Sequence, residues 1–433
     1  MNWEIFKSWI LTGLVLLSII LFWNLVVFQE NYEAIPNQEY INEVSIAEKR
    51  KIGELIFPDK MVYRKDRDTY VGSETISVVD SVFNEVARWN YYNFQPALEE
   101  FQQLFYNYNQ PYLLFLFPDD VPFELMKNMF TIDAKEIPEG NFDYIVVFPN
   151  LIKKDEGIVY FVNEELTRAY QGRVRHPDME HFLTNMNNFI ESNSQPYIAY
   201  KKTSGSMLFV MDSDITLQDY RYLPKNYNVS NFVNALFQDP GLVKRKGNQY
   251  TDTSSLMNVY EDIGMFRFVD PTITRTKISV SELLQKGNDF INEHSGWTDH
   301  YYYSSSDIYN SKIVFRLYLS DFPVFSSSGY SEIKLVLGND GVYSYERPLF
   351  SLNFPTTDRE QILLSSGRRV LQFLESVDRF DMNTISDIRI GYQFTRAYND
   401  MIISLEPSWF YRIDNTWQRI QESDLGGEQD GLE

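Results

Sequence analysis

The strongest pattern in the chain is an unbroken apolar run near its start. Residues 9–28 read WILTGLVLLSIILFWNLVVF, without an Asp, Glu, Lys or Arg. At ~1.5 Å of rise per helical residue, such a run crosses the ~30 Å hydrocarbon core of a bilayer. Trp3, Trp9, Trp23 and Phe28 stand near its ends, where aromatic rings favour the interface. The run is longer than the apolar core of a signal peptide and leaves through Val26-Val27-Phe28-Gln29-Glu30, not through small residues, so the pattern predicts an uncleaved anchor. Lys7 and the terminal amine precede it and no Lys or Arg follows until Lys49. The basic side stays inside, which makes residues 1–8 a cytoplasmic stub and puts everything after Phe28 outside a cell membrane crossed once.

Beyond the run the periods change. Residues 29–50 hold no sustained apolar pattern and include Pro36, as a polar linker would. Residues 61–64 and 69–71 flank Lys65-Asp66-Arg67-Asp68 and read as strand, turn and strand. Val79, Val82, Phe83 and Val86 recur at helical spacing, and Leu98, Phe101, Leu104 and Phe105 repeat it after Pro96, placed at the first helical position. Residues 112–117 and 144–148 are short apolar runs of buried-strand length, followed by a helix carrying Met179, Phe182, Met186 and Ile190 and by strands at 197–200 and 207–211. Ser230 is placed to cap a helix with Phe232, Val233 and Leu236. A later helix carries Leu283, Leu284 and Ile291, and a strand covers 313–319. Ile333, Leu335 and Leu337 alternate into Gly338-Asn339-Asp340-Gly341, a hairpin signal. A helix near Val370 and strands at 388–394, 401–405 and 409–413 follow.

The expected plan is α+β: an N-terminal transmembrane helix, then antiparallel sheets packed with helices. Its divisions are an N-terminal domain at 51–211, a middle domain at 212–277, a C-terminal domain at 278–420 and a disordered acidic tail at 421–433.

Composition narrows the function. There are 39 Lys and Arg against 60 Asp and Glu, a net charge of −21, which repels polyanions and argues against nucleic acid as a partner. Cysteine is absent, so disulfide scaffolds, thiolate metal sites and Cys nucleophiles are excluded together. The glycine-rich phosphate loops, the H-E-x-x-H helix and the G-x-S-x-G elbow do not occur. His176 and His181 lie five apart, off the i, i+4 spacing of a zinc helix, and Ser331 and Lys334 fall on opposite faces of an alternating strand. Asp119-Asp120 and the pair Asp212 and Asp214 could serve glycoside hydrolysis, but 60 acids make such pairs by chance. The residues predict no catalytic centre, no metal and no cofactor.

A series of local signatures runs in order through the chain. It comprises Phe28-Gln29 after the anchor, Phe57-Pro58 before Met61-Val62-Tyr63, and Leu236-Phe237-Gln238-Asp239-Pro240 with Tyr250-Thr251-Asp252. Phe315-Arg316-Leu317-Tyr318-Leu319 with Pro323-Val324-Phe325, then Gly391-Tyr392, Leu405-Glu406-Pro407-Ser408-Trp409 and Asp414-Asn415-Thr416-Trp417 complete it. The chain resembles the YycH (WalH) family of Gram-positive bacteria. That resemblance implies a non-enzymatic, membrane-anchored extracellular regulator that acts with a YycI-like (WalI) protein on the YycG/WalK sensor histidine kinase, which controls cell-wall metabolism. It leaves open whether the kinase is inhibited or activated. On a helix advancing ~100° per residue, Gly13, Leu17, Ile20 and Asn24 share one face, and small and polar residues there allow close approach and interhelical hydrogen bonds. This face is the candidate partner-binding site. The alternatives are an extracytoplasmic wall-binding module and a wall-active hydrolase.

Overall fold

The computed structural model describes residues 47–357, 359–377, 380–396 and 402–425, together with Trp3, Lys7, Leu11, Gly13, Leu14 and Ser18. Residues 1–43 make one unit and 44–433 another. In the first, the six described residues are all helical. Among the described residues no helix is long and apolar enough to cross a membrane, and most of the run at 9–28 lies outside them.

The second unit begins with a ten-stranded sheet. Its strands are β1 (Lys60–Arg64), β2 (Tyr70–Ser73), β3 (Asn90–Pro96), β4 (Tyr112–Pro122), β5 (Thr131–Ile132), β6 (Asn141–Val147), β7 (Glu156–Val162), β8 (Ala169–Arg175), β9 (Gln195–Lys201) and β10 (Met207–Met211). They lie in the order β10-β9-β2-β1-β4-β6-β7-β8-β3-β5. The β1–β2 hairpin closes because Asp66 Oδ1 accepts from the amides of Asp68 (3.2 Å) and Thr69 (3.1 Å), which fixes the register at Arg64 opposite Tyr70. β4 is central, and Tyr112, Leu113, Leu114 and Phe115 are buried on both its faces, which is why that stretch reads as a continuous apolar run.

The helices fall where the spacing puts them. Helix α1 (Ile76–Ala87) buries Val79, Val82, Phe83 and Val86. Helix α2 (Leu98–Phe105) buries Phe101 and Phe105, whose rings stack on each other, and Phe105 also stacks on Tyr112. Pro96 ends β3 instead of opening α2, whose N-cap is Ala97. β3 itself escapes an alternation test because Asn93 adopts φ 50° and the ladder with β8 slips between Tyr92 and Gln95, so a bulge breaks the period.

The remainder forms a fourteen-stranded sheet and a two-stranded ribbon. The hairpin at Gly338–Gly341 forms, pairing the strand Glu332–Leu337 with Val342–Pro348. Strands from 212–277 hydrogen-bond directly into strands after 278: Met265–Val269 pairs with Val342–Pro348, and Tyr220–Asn226 lies between Phe350–Pro355 and Ile403–Ile413. The helix Val229–Leu236 is capped by Asn228, whose side chain takes the Ser230 amide at 3.0 Å, so the cap sits two residues before the expected Ser230. The two strands expected at 401–405 and 409–413 are one, Ile403–Ile413. Pro407 is tolerated within it because one edge changes partner there: Ile403, Ser404 and Leu405 pair with Tyr220–Asn226, whereas Trp409 onward pairs with Thr416–Ile420. At the C-terminal end, Glu422–Leu425 forms a helical turn whose Glu422 carboxylate accepts from the amide and hydroxyl of Ser365. Residues 426–433 lie outside the described residues.

Candidate functional site

Two linked features join the parts of the second unit. One is the place where the chain leaves the expected linker. Residues 47–50 pack on the far helix Val280–His294 and the turn after it. The Ala47 amide donates to Ser295 O (3.0 Å), and the Trp297 amide donates to Glu48 O (2.9 Å). Arg50 and Asn292 exchange two bonds, Arg50 N to Asn292 Oδ1 (3.0 Å) and Asn292 Nδ2 to Arg50 O (2.8 Å). The Arg50 guanidinium donates to Tyr301 O (2.6 Å) and lies 4.7 Å over the Tyr302 ring. Gly296 makes this approach possible: its φ is +73°, and a Cβ there would lie 2.3 Å from Ala47 O. Underneath, buried Arg347 bonds Ser295 Oγ, Gly296 O (3.0 Å) and Thr298 Oγ1 (2.9 Å), fixing the turn to the sheet.

The other feature is a buried ionic seam between the ten-stranded sheet and the strand Ile385–Thr395. Lys60, at the start of β1, is 1% exposed. Its ammonium meets Asp387 Oδ1 (3.0 Å) and Glu74 Oε1 (3.1 Å) and donates to Phe209 O (2.9 Å). Arg389 grips Asp59 with both guanidinium nitrogens and Asp387 with Nε (2.6 Å). Tyr318 donates to Asp59 and the Ile390 amide to Glu74, both at 3.3 Å. Burial alone would push the Lys60 ammonium down, yet Asp387 and Glu74 outweigh it and hold it above its usual value. Burial likewise opposes ionisation of Asp387, but Arg389, Lys60 and Arg412 hold its carboxyl well below the carboxylate range. Glu74 goes the other way, pushed up by burial despite Lys60.

Around the seam the contacts stay polar. Arg412 donates to Pro118 O (2.8 Å), and Asp321 accepts from the Ser77 amide (3.2 Å) and hydroxyl (2.9 Å) at the first turn of α1. Asp59, Lys60, Asp387 and Arg389 thus meet opposite charge across the seam. They fix register and orientation, because any other arrangement strands a buried charge.

The candidate residues from the sequence fall as follows. Gly13 is helical, and a side chain added there would meet no atom within 4 Å; Leu17, Ile20 and Asn24 lie outside the described residues. Asp119 accepts from the Ser306 amide (2.6 Å) and Tyr303 hydroxyl (3.3 Å), and Asp120 from Asn141 (3.1 Å). Asp212 pairs with Arg368, and Asp214 takes the Ser366 amide (2.8 Å). Each of these four acids is thus engaged by a group elsewhere in the chain. His176 takes the Asp178 amide at 3.3 Å, and no group of three metal-ligating residues occurs among the described residues. Ser331 is buried whereas Lys334 reaches Glu332 on the other face. The seam residues carry one sequence signal: Asp387 and Arg389 alternate with Ile388 and Ile390 in the strand Ile385–Thr395.

Comparisons follow the same outline. Residues 4–191 match the family described as "YycH protein, N-terminal domain" and residues 206–425 "YycH protein, C-terminal domain". A curated relative of Bacillus subtilis (strain 168), "Two-component system WalR/WalK regulatory protein YycH", is 22% identical over 96% of this chain and 95% of its own. The crystal structure of YycH from Bacillus subtilis has the same fold, with a TM-score of 0.75 and 20% identity over 88% of this chain and all of that one.

Proposed function

The chain belongs to the YycH family, and from that membership we propose that it regulates a two-component sensor histidine kinase of the WalK (YycG) kind. The observation that carries this reading is the end-to-end match to a relative named as a WalR/WalK regulatory protein, since both chains are covered almost completely. In the proposed arrangement residues 9–28 anchor the chain in the cell membrane, the second unit stands outside, and a YycI-like partner joins it. Regulation is by binding. The acid pairs that a hydrolase reading would use are engaged in structural bonds, which favours this reading over an enzyme.

Within the second unit, residues 47–50 are tied to the turn at Ser295–Trp297. Any movement of the segment is delivered to the turn at Ser295–Trp297 and, through Arg347, to the large sheet. The anchor face of Gly13, Leu17, Ile20 and Asn24 is the proposed contact with partner helices.

Membrane cross-linking tests this. The double substitution Gly13→Ile and Asn24→Leu is expected to reduce cross-linking to the kinase or the YycI-like protein and to alter kinase output. Wild-type cross-linking and output, or full regulation after exchange of residues 9–28 for an unrelated anchor, would remove the helix contact from the mechanism.

A further inference from the structure

The fourteen-stranded sheet carries an open groove of about 1580 Å³, solvent included, that the regulatory reading does not use. One wall is formed by the strands Lys312–Leu319 and Glu332–Leu337, the other by Thr416–Ile420 and the turn before it. Three rings line its base. Phe325 lies 4.3 Å from Phe410 and 4.7 Å from Trp417; the two Phe are buried and Trp417 is partly exposed.

Beside the rings sits a fixed ion triplet. Glu332 meets Arg316 through one oxygen (2.6 Å) and Lys334 through the other (2.7 Å). Arg316 is further pinned by Ser304 Oγ (3.2 Å) and Val324 O (3.3 Å) and lies 4.7 Å over Phe325. Burial opposes ionisation of Glu332, but Arg316 and Lys334 outweigh it and hold the carboxyl below its usual value. The groove thus presents rigid, ionised hydrogen-bonding groups next to an aromatic surface.

The chemistry of an occupant follows by elimination. An apolar molecule would take water from the triplet's remaining donors and acceptors without replacing its hydrogen bonds. A polyanion would meet cations that already face carboxylates: Arg316 and Lys334 face Glu332, Arg419 faces Glu406 (2.7 Å), and Lys312 acts on Asp307. It would also approach a chain of net charge −21. A sugar hydroxyl both donates and accepts, so it can bond carboxylate and cation without breaking their pair. The C–H face of a sugar ring, in turn, suits a partly exposed indole. We propose that this groove binds a neutral oligosaccharide, with Glu332, Arg316 and Lys334 bonding its hydroxyls and Trp417 under a ring face.

The test uses the full chain in a detergent without a sugar headgroup, titrated with chitotetraose and with maltotetraose by calorimetry and tryptophan fluorescence. Saturable binding of either sugar is expected. Trp417→Ala, which leaves the triplet intact but removes the stacking surface, and Glu332→Gln, which removes a charged hydrogen-bond acceptor, are each expected to weaken it about tenfold. Arg245→Ala, at the distant strand Lys244–Lys246, is expected to leave binding unchanged, and far-UV circular dichroism at the assay temperature shows that each variant is still folded when binding is measured. Absence of saturable binding at millimolar sugar overturns the proposal. So does binding unaffected by Trp417→Ala, or binding of poly(glycerol phosphate) in place of both sugars. Because no readout involves the kinase, failure here leaves the regulatory reading standing, and loss of that reading leaves this one testable.

Discussion

Replacing Lys60 with Met should cost the fold about 3–5 kcal/mol, the range for removing one partner from a buried ion pair. The stems are of similar length, so little cavity is made and the electrostatic loss dominates. At an effective dielectric of ~20, a charge pair 3.0–3.1 Å apart attracts by about 5 kcal/mol, and Lys60 makes two such pairs, with Asp387 and Glu74. The ammonium's own desolvation, several kcal/mol, and repulsion from Arg389 offset part of that sum. What remains is the cost of leaving Glu74 and Asp387 buried beside two carbonyls that lose their donor, Phe209 O and Ile388 O. Urea denaturation followed by tryptophan fluorescence measures it. Adding Glu74→Gln removes one stranded charge, so the double variant should recover at least ~1 kcal/mol relative to additivity. A single-variant cost below about 1 kcal/mol, or strictly additive effects, would refute the idea that the seam is a closed charge network.

Two other outcomes follow from named residues. Burial pushes the Asp299 carboxyl up to about 7, against the pull of the Leu352 amide and Arg347. Because its folded value lies above its unfolded one, the stability it contributes is complete below pH ~4 and is lost as pH rises through 7. Asp299→Asn keeps an acceptor for the Leu352 amide (3.1 Å) and has no such loss, so it should gain on the wild type by about 2 kcal/mol between pH 5.5 and 7, then level off. Parallel stability curves from urea melts across that range would contradict this. Gly296→Ala puts a Cβ 2.3 Å from Ala47 O and should release residues 47–50 without unfolding the sheet, seen as faster hydrogen exchange at the Ala47 and Trp297 amides. Unchanged protection there would show that the junction is not held by this approach.

Local signals read well from the sequence because their physics is local. The Lys65–Asp68 turn, the apolar faces of α1 and the Gly338–Gly341 hairpin each depend on neighbours within a few residues. Signals that depend on distant partners were opaque. Ile403–Ile413 looked like two strands because Pro407 interrupts it, and only the exchange of one edge from Tyr220–Asn226 to Thr416–Ile420 explains its tolerance. The pairing of Met265–Val269 with Val342–Pro348 joins segments some eighty positions apart, with nothing local to announce it. Of the candidate site, the acid pairs give no local sign of the partners that hold them, such as Ser306 for Asp119 and Arg368 for Asp212. The seam was missed because Lys60, Glu74, Asp387 and Arg389 look like surface charges until burial is known.

The grip of Asn292 and Tyr301 on Arg50 bridges separations of 242 and 251 positions. A chain made from its N-terminus therefore produces residues 47–50 first and completes their binding surface only after more than half of the polypeptide has followed. Arg389 reaches Asp59 across 330 positions, so the seam waits longer still. Until then the early sheet holds Lys60 without Asp387 and Glu74 without the Ile390 amide, so a truncated N-terminal half is left with buried charge that lacks its late partners. Order of synthesis and order of fastening therefore run apart: residues 47–50 and Asp59 are among the earlier parts of this unit to be made and among the last to be tied down.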